Sequence, residues 1–375
     1  MAGIYIHIPF CKKACNYCNF HFSVNQQLMP EIVSSIVKEA TLRKDYLSQK
    51  IETVYFGGGT PSLLSGNQLR YILNELHKIF SIVDSAEITL EANPDDISDK
   101  KLTEWKDAGI NRLSIGVQSF FEEDLLWMNR AHNATQALAS ILNVQKAGFE
   151  NISIDLIYGG PTLTKEHWQK NLEIAFDFSI PHLSCYALTV EPKTVLSKKI
   201  INKEFADIDP EKQANHFNQL QAFALIAGYK HYEISNLAVV GKESKHNANY
   251  WSGKHYLGLG PAAHSFNGIS RQWNVSNNSL YVTSIKENII PFEIEFLTIT
   301  QKLNEYIMTS LRTSNGINLN NIKLMAGESI SEKVLRESEK YILSDKIALN
   351  SGHLILTNQG KFYADGIAAD LFQLQ

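Results

Sequence analysis

The stretch from Ile4 to Phe20 reads IYIHIPFCKKACNYCNF and contains three of the four cysteines in 375 residues, Cys11, Cys15 and Cys18. A short apolar strand leads into the cysteines, and Pro9 ends it. The spacing C-x3-C-x2-C is typical of a loop that binds one face of a [4Fe-4S] cluster, in which each thiolate takes one iron and the fourth iron has no protein ligand. An open coordination position indicates catalysis or ligand binding rather than a structural role.

A zinc site is the alternative interpretation of the same cysteines. Zinc prefers four ligands, and His7 or His21 would supply the fourth. A disulfide framework is disfavoured, because three clustered cysteines do not pair evenly and Cys185 is distant in sequence. The aromatic Tyr17 just before the third cysteine and the strand before the loop favour the iron–sulfur cluster.

This stretch resembles the cluster loop of the radical S-adenosylmethionine (SAM) superfamily. In that superfamily SAM chelates the open iron, and an electron from the cluster cleaves the sulfonium group. The resemblance implies a [4Fe-4S] cluster on Cys11, Cys15 and Cys18, with SAM beside it. The cofactor then carries the difficult chemistry, while the protein positions it and excludes water.

Composition indicates a globular cytoplasmic protein. Hydrophobic residues make up 44% of the chain and charged residues 20%, as in soluble domains. The net charge of −4 provides no basic field for a nucleic-acid partner. No apolar run reaches the ~18 residues of a membrane span, and the first residues enter a strand rather than a signal peptide. Few, clustered cysteines fit a reducing cytosol.

Strand and helix patterns alternate over residues 1–190, which we expect to form a radical SAM core. Six short, apolar, β-branched runs read as buried parallel strands. Six β/α units predict an open, partial (β/α)6 TIM-like barrel rather than a full eight-fold one. Ser98, Asn133 and Thr164 are predicted helix N-caps. The predicted strands are Ile4–Ile8, Thr53–Phe56, Glu87–Leu90, Arg112–Val117, Ser153–Ile157 and His182–Leu188.

The pattern changes after residue 190. Residues 191–285 include a block, 229–275, that is dense in Tyr, His, Trp, Asn and Gly. We expect this segment to close the barrel by returning across its open side. Residues 286–375 read as helices followed by a hairpin, which predicts a smaller, mainly helical, winged-helix-like C-terminal domain. Its charges provide no basic face to neutralise phosphates, so a nucleic-acid role is disfavoured.

Residues suited to a ligand follow several predicted strands, and the carboxyl ends of parallel barrel strands form the site. Residues 57–60 read GGGT, and glycines let bare amides and carbonyls approach an ammonium or carboxylate closely. Glu91 follows the third strand and would accept from an ammonium or from ribose hydroxyls. Asp155 lies within an apolar strand, where burial is costly without a partner. Arg130 is the candidate partner, or else a ligand of the SAM carboxylate.

Together these motifs resemble the oxygen-independent coproporphyrinogen III dehydrogenase family and its relatives over nearly the whole chain. The matching motifs are YIHIPFC at 5–11, EANP at 91–94, GVQSF at 116–120 and DLIYG at 155–159. The dehydrogenase has a fourth cysteine where this chain has Phe20, and a long extension where this chain has three residues. The resemblance implies SAM contacts at Tyr5, Tyr17, Gly58, Gly59, Thr60, Glu91, Gln118, Arg130, Asp155 and Ala187.

Both departures, with the motif H-N-x-x-Y-W at 246–251, resemble the haem-chaperone branch of this family. That resemblance implies a protein that binds haem and transfers it to apo-haem proteins of the respiratory chain. Peripheral membrane association and a homodimer are open expectations. Two rival functions remain: the dehydrogenase, which decarboxylates porphyrinogen propionates, and a cluster-bearing binding protein that does not cleave SAM. Whether the chain catalyses a reaction stays open.

His246 is the candidate axial ligand for haem iron, since iron takes imidazole readily. Tyr250 and Trp251 would stack on the porphyrin face. The alternative is that this block only lines the barrel mouth, with His246 hydrogen-bonded to the backbone. Three other residues compete as haem ligands: His255, His264 and Cys185.

Overall fold

One sheet of 12 strands organises the larger part of the molecule in the computed structural model, which describes residues 1–374. Its centre consists of six parallel strands that run side by side in chain order. This confirms the predicted open, partial barrel of parallel strands. The six are β1 (Ala2–Ile8), β2 (Ile51–Gly58), β3 (Ile82–Ala92), β4 (Arg112–Gln118), β5 (Ile152–Tyr158) and β6 (His182–Ala187).

The remaining six strands extend this sheet at both edges. β9 pairs in parallel with β1 and is followed by three antiparallel strands, while two antiparallel strands continue from β6. Residues 229–275 add strands at both edges of the sheet. The expectation that this segment closes the barrel by returning across its open side stays a prediction. The added strands are β7 (Lys230–Glu233), β8 (Asn236–Ala238), β9 (Tyr256–Leu259), β10 (His264–Phe266), β11 (Ser270–Asn274) and β12 (Phe292–Phe296).

Helices cover the outer face of the central strands. The predicted N-caps Ser98, Asn133 and Thr164 are confirmed, since each side chain accepts a hydrogen bond from the first turn of its helix. The α-helices that end before residue 290 are α1 (Met29–Leu42), α2 (Gly66–Ile79), α3 (Asp99–Ala108), α4 (Glu122–Trp127), α5 (Ala134–Lys146), α6 (Lys165–Asp177), α7 (Val195–Ile201), α8 (Pro210–Ile226), α9 (Lys245–Trp251) and α10 (Asn278–Lys286).

Alternation along the strands separates the core from the barrel interior. Ile4, Ile6 and Ile8 of β1 are completely buried in the main hydrophobic core. Successive side chains of a strand point to opposite faces, so Tyr5 and His7 point the other way, into the barrel. There they line a cavity instead of packing against helices. The barrel interior is therefore polar and aromatic, which suits a ligand-binding site.

A second hydrophobic core lies in the C-terminal part of the chain, within residues 303–371. The predicted hairpin is present as β14 and β15, to which the short β13 adds a third strand. The three-part division of the chain stays a prediction. The elements are α11 (Ile299–Leu311), β13 (Ile317–Asn318), α12 (Leu319–Ala326), α13 (Glu328–Leu343), β14 (Ile347–Asn350), β15 (His353–Leu356) and α14 (Ala364–Asp370).

Helices that span a bilayer are both long and apolar. Within residues 1–374, none combines the necessary length with sufficient apolar character.

Candidate functional site

A cavity of about 400 Å³ lies where the cysteine loop meets the carboxyl ends of the central strands. We call it the cluster cavity. Cys11, Cys15 and Cys18 all line it. Tyr5 is the one predicted SAM residue that does not line the cluster cavity, and it lines a second cavity instead. The other predicted SAM residues line the cluster cavity: Tyr17, Gly58, Gly59, Thr60, Glu91, Gln118, Arg130, Asp155 and Ala187.

The glycine run positions the cysteine loop. The Gly59 amide donates to the carbonyl of Ile8 at 2.9 Å, and the Thr60 amide donates to the carbonyl of Phe10 at 2.7 Å. A Cβ at position 59 would lie only 2.5 Å from the Phe10 carbonyl oxygen, so this approach requires glycine. These two amides are therefore used to hold the loop. Contacts of Gly59 and Thr60 with SAM through their other atoms stay a prediction.

Arg130 ties the cysteine loop to two of the barrel strands. Its Nη2 donates to Asn93 Oδ1 at 2.7 Å and to the carbonyl of Gly116 at 2.8 Å. Its Nη1 lies 3.3 Å from both Cys15 Sγ and the hydroxyl of Tyr17. Sequence reasoning missed Asn93 as a partner, although it stands within the EANP motif. The guanidinium thus fixes the second cysteine and places a positive charge beside its sulfur.

Two buried carboxyl groups face the same cavity. Burial, reinforced by the charge of Asp155, raises the pKa of Glu91 to about 8, although Glu91 accepts a hydrogen bond from Tyr55. Burial raises the pKa of Asp155 to about 6, and Ser114 donates to it at 3.4 Å. The prediction that Arg130 pairs with Asp155 is wrong. Neither carboxyl has an ion-pair partner within residues 1–374, so the pair fits a cationic ligand such as SAM.

The cysteines suit a cluster better than a single ion. In the described chain, no three His, Cys, Asp or Glu residues converge on one ion position. His7 and His21, the candidate zinc ligands, instead donate to the His21 carbonyl and to Asn278. A [4Fe-4S] cluster needs each thiolate on a different iron. Burial raises the pKa of Cys18 to about 11 and also that of Cys11, so their thiolates require the positive charge of a metal centre.

A second cavity, of about 1090 Å³, fills the barrel interior. We call it the barrel cavity. It is lined by the inner faces of β1 and β2, by α9, and by residues of β9 to β11. Phe20, Glu91 and Tyr186 line both cavities. The two cavities are therefore neighbours that share a wall.

His246 lies deep in the barrel cavity, beside the first residues of β1 and β2. Its Nδ1 is 2.9 Å from the hydroxyl of Thr53, and its ring stacks on Tyr55 with 4.9 Å between ring centres. A Cβ at Gly3 would lie 3.3 Å from Nδ1. The cysteine loop follows the opposite ends of these strands. The imidazole therefore bonds to a side chain and not to the backbone, as the alternative had it. A purely structural role for this block stays the alternative prediction.

A buried carboxylate holds the helix that carries His246. The amides of Lys245 and His246, in the first turn of α9, donate to Glu87 on β3 at 3.2 and 3.1 Å. Negative charge at a helix N-terminus is stabilising, so Glu87 fixes α9 inside the barrel. Burial lowers the pKa of His246 to about 4. Its imidazole is therefore neutral near pH 7, the state that ligates iron.

With this geometry in place, comparison with known proteins identifies the family. The model of the radical SAM superfamily matches residues 5–175, and that of the HemN C-terminal domain matches residues 297–363. The chain is 33% identical to the heme chaperone HemW of Bacillus subtilis, over 98% of both chains. The chain belongs to the HemW family. It is also 31% identical to HemW of Mycobacterium tuberculosis, over 98% of this chain and 94% of that one.

One solved structure supports the fold of this HemW-family chain. Coproporphyrinogen III oxidase (HemN) from Escherichia coli superimposes with a TM-score of 0.85, covering 99% of this chain and 90% of that one. At 21% sequence identity, this similarity establishes a shared fold. The radical SAM match implies that this HemW-family protein uses a [4Fe-4S] cluster and SAM.

The structure reduces the number of residues that compete with His246 as haem ligands in this HemW-family chain. Cys185 is buried in the main core and lines neither cavity, so it is no longer a candidate. His255 and His264 do line the barrel cavity. Sequence reasoning missed Thr53 and Tyr55, which contact His246. Period-2 alternation along β2 was the available signal, because it places both side chains on the inner face.

Proposed function

We propose that this protein is a haem chaperone that binds haem in the barrel cavity with His246 as axial ligand. The observation that carries the proposal is the contact between His246 Nδ1 and the Thr53 hydroxyl. When Nδ1 carries the proton and donates it to Thr53, the lone pair of Nε2 is free for iron. A hydrogen bond of this kind orients a metal-binding imidazole and increases its basicity. The names of the relatives support the same function.

The recipients that we propose are apo-haem proteins of the respiratory chain, reached from the cytoplasm at the membrane surface. The family resemblance supports this proposal. We also propose three parts for the chain, residues 1–190, 191–285 and 286–375. The separate hydrophobic core within residues 303–371 supports an independent C-terminal part. Association as a homodimer stays a prediction.

For the cluster cavity, we propose Cys11, Cys15 and Cys18 as ligands of a [4Fe-4S] cluster. When bound, the cluster and SAM supply one-electron chemistry. The chain itself holds the loop through Arg130 and offers buried carboxyl groups to a cation. The proposed SAM contacts are Tyr5, Tyr17, Gly58, Gly59, Thr60, Glu91, Gln118, Arg130, Asp155 and Ala187.

Titration of purified protein with haem tests the haem proposal. The wild type should bind about one haem per chain with a Soret band typical of imidazole ligation. His246→Ala should weaken binding and shift the band while the circular dichroism spectrum stays unchanged. His255→Ala and His264→Ala are matched controls from the same cavity. Unchanged haem affinity in His246→Ala, with a lower melting temperature, would show that His246 only supports packing.

A turnover assay separates this proposal from the dehydrogenase alternative. Reconstituted protein is supplied with a reductant, SAM and coproporphyrinogen III under anaerobic conditions. We expect no decarboxylation, because this chain has Phe20 where the dehydrogenase has its fourth cysteine. Formation of protoporphyrinogen at a steady rate would establish the enzyme instead.

A further inference from the structure

A row of four aromatic rings runs along the barrel cavity, with an arginine at each end. At one end, the guanidinium carbon of Arg312 lies 5.0 Å from the centre of the Trp251 ring system. At the other end, Arg271 lies 5.9 Å from the ring centre of Phe266. Neighbouring rings of the row are 5.1, 5.7 and 6.3 Å apart. We call the row the aromatic wall; its members, in order, are Trp251, Tyr250, Tyr256 and Phe266.

Both arginines line the barrel cavity, and so do three of the four rings. The planes of neighbouring rings are inclined by 85°, 45° and 39°, so the row offers both ring edges and ring faces as apolar contact area. Guanidinium groups present a fork of N–H donors that matches a carboxylate. The aromatic wall with a guanidinium at each end therefore suits a largely apolar molecule that carries two carboxylates.

The helix α11 links the two arginines. Glu305 on this helix binds Nη2 of Arg271 at 2.9 Å. Arg312 directly follows the same helix, seven residues beyond Glu305. Seven residues are about two turns, so Glu305 and Arg312 share one face and are about 10 Å apart along the axis. This is the scale of a porphyrin edge, and α11 belongs to the region that matches the HemN C-terminal domain.

Each arginine keeps donor capacity despite its carboxylate partner. Arg312 binds one oxygen of the buried Glu233 through Nε and Nη2, at 2.9 and 2.8 Å, and its Nη1 is 3.6 Å from the exposed Asp365. Arg271 uses Nη2 on Glu305, and its buried Nε has no hydrogen-bond partner within the described residues. A buried donor without a partner is unfavourable, which indicates a missing acceptor.

The surrounding charges are nearly balanced. Lys254 also lines the cavity but is paired with Glu52 at 2.6 Å. Glu305, beside Arg271, is likewise its ion-pair partner. The arginines therefore act at short range, as hydrogen-bond donors, and not through a strong positive field. Moderate affinity of this kind suits a protein that must release its ligand.

We infer that Arg271 and Arg312 receive the two propionates of haem, so that α11 of the C-terminal region recognises the carboxylate edge of the ligand. This inference rests on the proposed haem-chaperone function. Arg271 of β11 and Arg312 at the end of α11 would then both contact the ligand in the barrel cavity. In this arrangement His246 faces the iron at the centre of the ring, and the propionates determine which edge of the ring lies beside α11.

The test compares haem with haem dimethyl ester, in which both carboxylates are neutralised. Wild-type protein should bind haem about tenfold more tightly than the ester, since charge-assisted hydrogen bonds to carboxylate are among the strong ones. In Arg271→Gln and Arg312→Gln this preference should fall towards one, while the Soret position set by His246 stays the same. Arg336→Gln, an exposed arginine of the C-terminal region, is the matched control.

Arg312→Gln leaves the carboxylate of Glu233 buried without its partner, so this variant is at risk of misfolding. The wild-type comparison of the two ligands needs no variant and carries the test in that case. Arg271→Lys, which keeps the charge but loses the fork, should show an intermediate preference. Equal affinity of the wild type for haem and ester would overturn the inference and leave the chaperone function intact. Failure to bind either ligand would overturn both.

Discussion

The hydroxyl of Tyr55 donates a hydrogen bond of 2.7 Å to Oε1 of Glu91, and the ring of the same Tyr55 stacks on His246. Glu91 lines the cluster cavity as well as the barrel cavity. One side chain therefore contacts both the carboxyl proposed for SAM and the imidazole proposed for haem. This contact allows the two sites to be tested separately through one residue.

Replacing Tyr55 with Phe should affect SAM more than haem. The hydrogen bond from Tyr55 lowers the pKa of Glu91, so its removal should raise that pKa further. At pH 7 fewer chains then carry the ionised carboxylate, and SAM affinity should fall by about tenfold or less. The Soret band should persist, because the stacked ring remains. Calorimetry with SAM measures the change, and the exposed Tyr71→Phe is the control.

SAM binding should release a proton from Glu91 at pH 7. Burial holds its pKa near 8, so most of the free protein carries the protonated acid, whereas a cationic ligand favours the carboxylate. Affinity should therefore rise with pH up to about 8 and then level off. Calorimetry in buffers of different ionisation enthalpy counts the protons. The variant Glu91→Gln is the control, because any proton that SAM itself gains or loses is counted equally in both proteins. If wild type and Glu91→Gln release the same number of protons, Glu91 is not the group that ionises.

The cluster should depend on three cysteines and not on the fourth. Anaerobic reconstitution should yield about four irons and four sulfides per chain. Replacing Cys11, Cys15 and Cys18 with Ala should abolish this content, because each thiolate binds a different iron. Cys185→Ala should retain it, since that residue is buried in the core away from the cavity. Iron and sulfide analysis decides, and loss of the cluster in Cys185→Ala would refute the three-cysteine assignment.

Thr53→Val should weaken haem binding without removing the ligand. The hydroxyl of Thr53 holds Nδ1 of His246, and loss of such a partner costs about 10- to 100-fold in metal affinity. Valine has nearly the same shape, so the fold should stay intact. Haem titration measures the effect, and Thr283→Val, an exposed threonine on α10, is the control. Equal affinities of the two variants would show that Thr53 does not orient the imidazole.

Haem ligation should be insensitive to pH between about 5.5 and 8. Burial lowers the pKa of His246 to about 4, so the imidazole stays neutral throughout this range. An ordinary histidine, with a pKa of about 6.5, would lose most of its neutral form as the pH falls to 5.5. The Soret band, followed during acid titration, provides the measurement. A transition centred near pH 6.5 would show that a histidine with an ordinary pKa, and not His246, is the ligand.

Much of the barrel could be predicted, because each parallel strand is a short apolar run with a local signal. The third strand shows the limit of this approach. It begins at Ile82 and not at Glu87, since the polar residues Asp84 and Ser85 interrupt the apolar pattern without interrupting the strand. The strands at the sheet edges were even harder to predict from the sequence. They are short, and their pairing joins residues distant in sequence, such as Gly3 with Tyr256.

In the candidate site, too, the local motifs could be predicted from the sequence, whereas contacts between distant residues could not. The cysteine loop and the glycine run are local motifs, and the structure places them against each other as their order in a barrel predicts. The partner of Asp155 was not local. Arg130 has the right charge, but its Nη2 donates to Asn93 and Gly116, which only the folded chain brings near.

The sequence alone determined the chemistry of this protein: three cysteines in one loop, a glycine run after the second strand and a histidine in the H-N-x-x-Y-W motif. Each of these signals lies within a few neighbouring residues, so it can be recognised without knowledge of the tertiary structure. The tertiary structure decided where His246 lies, why it is neutral, and which residues surround it. Burial and contact with Thr53 and Tyr55 bring together three elements distant in the chain. Long-range packing of this kind leaves no local pattern in the sequence.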